Sequence, residues 1–204
     1  MKNSILKTLI LSCILLAGIS AKAQEKTWSV GPEVGLSLSK YGGDAGSNDL
    51  KSGAVGGLFL TYSIKNTFGI TGKVLYYQKG AYVPDLDLKQ TLNYIEVPII
   101  GRYFLIKEGN FRPNIFLGPS FNFLTGVTNK VGTGDRVSQE NWDSVYNSFD
   151  LGITGGAGLN FLIASETYFI IDARYTHGFS DLTKPAGVIN NNSIAITAGI
   201  SFGF

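Results

Sequence analysis

Eight ionisable side chains interrupt stretches that are otherwise apolar or small: Glu33, Lys73, Glu96, Arg102, Arg112, Asp150, Asp172 and Arg174. The carboxylates Glu96, Asp150 and Asp172 are of a type that could pass a proton as an acid–base pair. Their charge balance argues for a different role. Four acids stand against four bases, and a set that sums to zero reads as structural ion pairing.

Other reactive residue types are sparse. His177 is the sole histidine, and the local alternation puts it on the side of Tyr175 and Phe179, opposite Asp172 and Arg174. It reads as a residue of an aromatic belt and not as a general base. No Cys or His cluster has metal-ligand spacing, and Asp85-Leu86-Asp87 and the acids of 135–143 lack the glycine and closing glutamate of a calcium loop. The glycine-rich stretch Gly152 to Gly158 is no phosphate cradle, since no helix follows it. No catalytic residue, metal or cofactor is expected. The long polar segment 125–147, with Arg136, Trp142 and Tyr146, is where recognition would sit, because variable chemistry gathers in loops on a rigid scaffold.

The elements that must position these charges repeat with period two, not 3.6. Eight strands are expected, at approximately 28–39, 53–63, 68–78, 91–106, 111–124, 148–162, 167–178 and 191–204. Short turns at 64–67, 107–110 and 164–166 alternate with long polar loops at 40–52, 79–90, 125–147 and 179–190. A sandwich has no reason to gather its long loops at one end, whereas an outer-membrane barrel has short periplasmic turns and longer external loops. The fold class is therefore all-β, an eight-stranded antiparallel up-and-down transmembrane barrel.

Alternation also says which face meets which solvent. In the last strand Ile194, Ile196, Ala198, Ile200, Phe202 and Phe204 share one face, and Ser193, Ala195, Thr197, Gly199, Ser201 and Gly203 the other. A run of about 11 residues, tilted by about 40°, rises roughly 28 Å and covers the apolar band of an outer membrane. A basic side chain facing lipid near the midplane would cost about 2–4 kcal/mol, so the eight strand charges are expected to point inward and pair. An eight-stranded barrel is only wide enough for side chains to fill, which predicts a paired polar interior. Trp28, Tyr62, Phe68, Tyr76, Tyr103, Phe111, Phe123, Phe161, Tyr168 and Phe179 lie toward strand ends, as interfacial girdles would. Pro98, Pro113 and Pro119 fall inside expected strands, where bulges or strand ends should accommodate them.

Composition agrees. The chain has 204 residues with 26 Gly, 12% aromatics and 16% charge, too apolar for disorder. Its net +2 supplies no electrostatic footprint for nucleic acid. Residues 1–23 read as a cleaved signal peptide, with Lys2 and Lys7, an apolar run from Leu9 to Ile19, and Ala21-Lys22-Ala23 before Gln24. Cys13 lies within that run, a poor place for a lipid anchor. The mature domain, 24–204, would then hold no cysteine.

Residues 28–204 resemble the PorT-like outer-membrane β-barrel domain proteins of Gram-negative bacteria, built like the small OmpX and OmpA barrels. The resemblance rests on Asn93-Tyr94-Ile95-Glu96-Val97-Pro98-Ile99 followed by Arg102-Tyr103, on Leu117-Gly118-Pro119-Ser120, on Asp172-Ala173-Arg174-Tyr175 with Gly178, and on the terminal Phe204. It implies residence in the outer membrane, contact with outer-membrane lipid, and assembly by machinery that reads the terminal aromatic. Protein partners would engage the external loops. A structural or interaction role is expected, with a filled interior and no open pore. Three alternatives stay open: a component of a secretion or transport machine, a rim enzyme acting on lipid or peptide, and a soluble ligand-binding barrel in the periplasm.

Overall fold

The computed structural model describes residues 28–184 and 188–204. The leader expected at 1–23 lies outside them. Strands β1 (Trp28–Gly43), β2 (Lys51–Lys65), β3 (Phe68–Val83), β4 (Leu88–Phe104) and β5 (Phe111–Val131) are followed by a two-residue strand β6 (Val137–Ser138). Then come β7 (Phe149–Ala164), β8 (Thr167–Gly178) and β9 (Ile189–Gly203). The eight long strands pair antiparallel in the order β4-β3-β2-β1-β9-β8-β7-β5, and β4 pairs with β5. The sheet thus closes into an eight-stranded up-and-down barrel without a free edge. β6 only extends one loop, pairing with Thr128 and Asn129.

Around the middle of the barrel the polarity is inverted relative to a soluble protein. Leu36 is 72% exposed on the outer wall, with Leu58, Ile115, Leu117 and Ile196 also turned outward, while Glu96 and Asp172 are fully buried inside. Aromatic pairs mark the short-turn rim, with Trp28 against Tyr62 and Phe111 against Phe161. Phe123 against Phe149 lies farther toward the long-loop end. Tyr168 departs from its expected place in the girdle. It shares the inward phase of Ile170 and Asp172 and lines the interior at the short-turn mouth.

Three sequence-based expectations are corrected here. The strands run farther toward the long loops than the apolar alternation indicates, with β1 reaching Gly43, β3 Val83 and β5 Val131. Backbone pairing continues there, Val83 opposite Leu88 and Leu88 opposite Val131, although the hydrophobic pattern has changed. Next, Pro98 and Pro119 do not cause bulges. The β3–β4 ladder lapses between Gly72↔Ile99 and Leu75↔Glu96 and resumes in the same register, and β4–β5 does so between Gly101↔Leu117 and Pro98↔Ser120. Neighbouring rungs hold the register across one missing N–H. Pro113 does sit at an end, one residue beyond the last β4–β5 rung, Phe104↔Asn114.

The last correction concerns the interior, which is not polar throughout. Toward the long loops it is filled by an apolar cluster that includes Leu75, Tyr77, Leu92, Tyr94, Leu124 and Val127, capped by Tyr146 and Leu182 from loops.

Candidate functional site

The ionised side chains converge on the barrel axis from strands that face one another. Lys73 Nζ (β3) donates to Glu33 Oε2 (β1) at 2.7 Å and to Asp172 Oδ2 (β8) at 3.0 Å. Arg102 (β4) grips the same Asp172 with both terminal nitrogens, Nη1 to Oδ1 at 3.0 Å and Nη2 to Oδ2 at 2.7 Å. That two-point geometry is the strongest arrangement available to the pair. Arg102 Nη1 also donates to Asn114 Oδ1 at 2.6 Å, Asn114 in turn donates to Asn160, and the guanidinium lies 4.7 Å from the Phe116 ring centre. Glu33, Lys73, Arg102 and Asp172 therefore form one network spanning the bore.

Room for it comes from the opposite inner faces. Gly158 (β7) stands across from Asp172, and a Cβ there would lie 2.2 Å from Asp172 Oδ1 and 2.8 Å from Asn114 Oδ1. Gly199 (β9) stands across from Glu33, where a Cβ would meet Pro32 O at 2.4 Å. Long charged side chains from β1, β3, β4 and β8 thus fill a bore whose β7 and β9 faces are kept small.

A second network lies one step toward the long loops. Lys79 Nζ stands 2.8 Å from Glu96 Oε2, an ion pair without hydrogen-bond alignment, and donates to Asn122 Oδ1 at 2.9 Å. Arg174 Nη1 approaches Glu96 Oε1 at 3.9 Å and rests 5.1 Å from the Tyr77 ring centre. Lys79 also lies over the Tyr77 and Tyr94 rings, where these charges border the apolar cluster. A cation over an aromatic face keeps favourable electrostatics at that boundary.

Of the eight charges singled out from sequence, Glu33, Lys73, Glu96, Arg102, Asp172 and Arg174 meet in these networks. Asp150 is buried but makes no ion pair among the described residues, and its Oδ1 accepts no hydrogen bond there. Arg112 is a correction. It sits at the short-turn mouth, where Nη2 donates to the Asn66 carbonyl at 2.6 Å and the guanidinium lies over Phe104, so among the described residues its partners are a carbonyl and a ring and not a carboxylate. Lys79 takes the fourth cationic place. Its signal was available, since Lys79 continues the phase of Lys73, Leu75 and Tyr77 one step beyond the expected strand end.

Both ends of the bore differ from its centre. The short-turn end opens into a vestibule of about 580 Å³ bounded by Phe59, Thr61, Lys73, Arg102, Phe104 and Arg112. At the other end the loop after β5 folds back over the mouth. Asn147 N donates to Leu182 O at 2.9 Å, and Lys184 N to Val145 O at 2.8 Å. Burial in this cap raises the Tyr146 hydroxyl above its ordinary pKa. His177 lies outside these networks, joined to Asn192 through Nδ1 and edge-on to Phe179 at 5.3 Å. Chemically, the interior can hold facing strands together through its ion pairs.

The profile of a family described as outer membrane protein beta-barrel domain matches residues 22–184. Among solved structures, the Neisserial surface protein A is similar over 87% of this chain and 97% of its own, at 13% identity and a TM-score of 0.58. OprG from Pseudomonas aeruginosa is 13% identical over 88% of this chain and 97% of its own, with a TM-score of 0.48. Ail, the attachment invasion locus protein of Yersinia pestis, is 18% identical over 86% of this chain and 99% of its own, with a TM-score of 0.47. No curated protein matches the chain.

Proposed function

The chain belongs to the outer membrane protein beta-barrel domain family and resides in the outer membrane of a Gram-negative bacterium, and on that premise we propose that it acts as a closed structural or interaction scaffold, not as a pore. The observation that carries this reading is the network Glu33–Lys73–Asp172–Arg102, which bridges β1, β3, β8 and β4 across the bore. The apolar cluster capped by Tyr146 and Leu182 supports it from the other end. With short turns taken as periplasmic and long loops as external, the vestibule faces the periplasm and the cap faces the outside. No catalytic role is proposed: His177 lies on the wall, and the carboxylates are held by cations or buried apart.

Planar-bilayer recording tests the closed bore. Purified protein should give no steady conductance, and a large sustained current would reject the reading. The working parts are proposed to be residues 24–204 after removal of a leader, checked by whether the mass of the exported chain begins at Gln24. Its proposed partners are outer-membrane lipid, the barrel assembly machinery during biogenesis, and proteins meeting the external loops; nucleic acid is not among them.

The segment Tyr94-Ile95-Glu96-Val97-Pro98 favours a second reading, a PorT-like component of a secretion or transport machine. Cross-linking in intact cells separates the two. A stoichiometric complex with envelope proteins supports the machine, and a barrel recovered without one supports the stand-alone scaffold.

A further inference from the structure

On the outer wall above the aromatic level lies a trough of about 510 Å³ whose lining carries Lys51, Lys89, Lys130 and Arg136 and no carboxylate. Among the described residues none of these four cations is ion-paired, and Lys51 lies close enough to Arg136 for the two to repel. Two acids stand beside it: Asp87 accepts from the Tyr82 hydroxyl, and Asp49 pairs with Tyr82 through backbone hydrogen bonds. Four cations around one cavity whose lining holds no carboxylate form an anion site.

Register shows where the trough faces. Tyr82, Lys89 and Lys130 form one row across β3, β4 and β5, since Tyr82 is opposite Lys89 and Lys89 opposite Lys130. Two steps lower, Gln78 pairs with Asn93, and below that Tyr76 pairs with Ile95 and Ile95 with Phe123, all on the outward phase. The Tyr76 hydroxyl and Gln78 amide both donate to Asn93 Oδ1. Going up the wall, apolar residues give way to an amide and hydroxyl belt and then to cations. From Tyr76 to Tyr82 the strand climbs about 15 Å after tilt, roughly the depth of a sugar headgroup above the acyl tails.

We propose that this trough binds the phosphorylated sugar headgroup of an outer-leaflet glycolipid. The proposal rests on the membrane orientation given above. Phosphoryl groups meet the ammonium and guanidinium groups, and a cavity of this volume accommodates a sugar-sized group. The outward placement selects a lipid-borne phosphate over a free one, because the ligand's tails must lie along the apolar wall directly below.

The test uses the full chain in phosphatidylcholine vesicles doped with diphosphoryl lipid A or with its dephosphorylated form. Lipid retained per barrel after detergent extraction is counted by mass spectrometry. Wild type should retain the diphosphoryl form selectively. Each cation removed should lower retention roughly fivefold, so Lys89→Gln/Lys130→Gln should lose about 25-fold. Addition of Lys51→Gln and Arg136→Gln should abolish retention, with heat-shifted gel mobility verifying the barrel; the double variant carries the test if the quadruple one does not fold. Equal retention by the double variant, or equal retention of dephosphorylated lipid, overturns the proposal. Complete displacement by millimolar inorganic phosphate overturns the lipid source. Failure of wild type to float with vesicles defeats the membrane reading and this proposal together, whereas a floating barrel that retains no lipid defeats this proposal alone.

Discussion

The same strands carry opposite polarity at their two ends. In the membrane-level half of β3, Lys73 points inward while Ile70 and Val74 point outward; nearer the long loops, Tyr77 and Ala81 flank Lys79 on the inner face while Gln78 and Tyr82 point outward. β4 does the same, with Arg102 and Glu96 inside at one level and Tyr94 and Leu92 inside at the next. The pleat does not change. What changes is the solvent outside, from acyl tails to water. A closed sheet facing lipid must put its polar groups on the axis, and the same sheet facing water buries its apolar groups there. The barrel is thus a membrane protein joined without a break to a short water-soluble barrel.

The largest effect is expected from breaking the ionic half. Asp172→Ala removes the carboxylate shared by Lys73 and Arg102 and leaves Glu33 as the sole anion of that network. A buried pair that loses one partner costs about 3–5 kcal/mol. Urea unfolding in lipid vesicles, followed by tryptophan emission, should show a destabilisation of that size. An unchanged midpoint would mean that the network is solvated and does not hold the barrel.

Second in size is Gly158→Val, which tests whether the network depends on the small opposite face. A side chain there enters the space of Asp172 and Asn114. Overpacking of this kind costs about 1–3 kcal/mol. The same assay should show it, together with a rescue by Asn114→Ala that a purely backbone-strain effect would not give.

The water-facing half should respond differently. Leu182→Ala deletes part of the external cap, and a buried Leu→Ala change costs about 2–5 kcal/mol where the structure is continuous. Here the loss should fall on the cap alone. Chymotrypsin should cleave after Tyr146 faster in vesicles, while the urea midpoint of the barrel stays within about 0.5 kcal/mol of wild type. Equal loss in both measurements would show that cap and barrel unfold as one unit.

This division explains what could be read in the sequence. Strands β7 and β9 were legible almost to the residue, because Ile153, Leu159, Ile194 and Ile196 alternate with Gly152, Gly158, Ser193 and Thr197 under one lipid-facing rule. The extensions of β1, β3 and β5 were not, since the rule inverts at Tyr77 and the polar outer residues there look like loop. Lys79 was lost with them. Tyr168 was misplaced through its nearness to a strand end, although its even phase in β8 already turned it inward. The packing of Tyr146 and Leu182 over the mouth carried no periodic signal, because loop residues 139–147 and 179–184 follow no pleat.

The smallest expected effect separates a charge in the network from a charge beside it. Arg102 and Arg112 both sit in the inward phase near the short-turn end, and both stack on a phenylalanine, Phe116 and Phe104 respectively. Among the described residues, Arg102 of the two holds a carboxylate. Arg112→Gln should therefore cost about 0.5–1 kcal/mol, the worth of one cation–ring contact, whereas Arg102→Gln should cost several times more because Asp172 loses its two-point grip. Urea midpoints for the two variants in the same vesicles give the ratio directly. Comparable losses would place Arg112 within the ionic layer and move the boundary of that layer down to the periplasmic mouth.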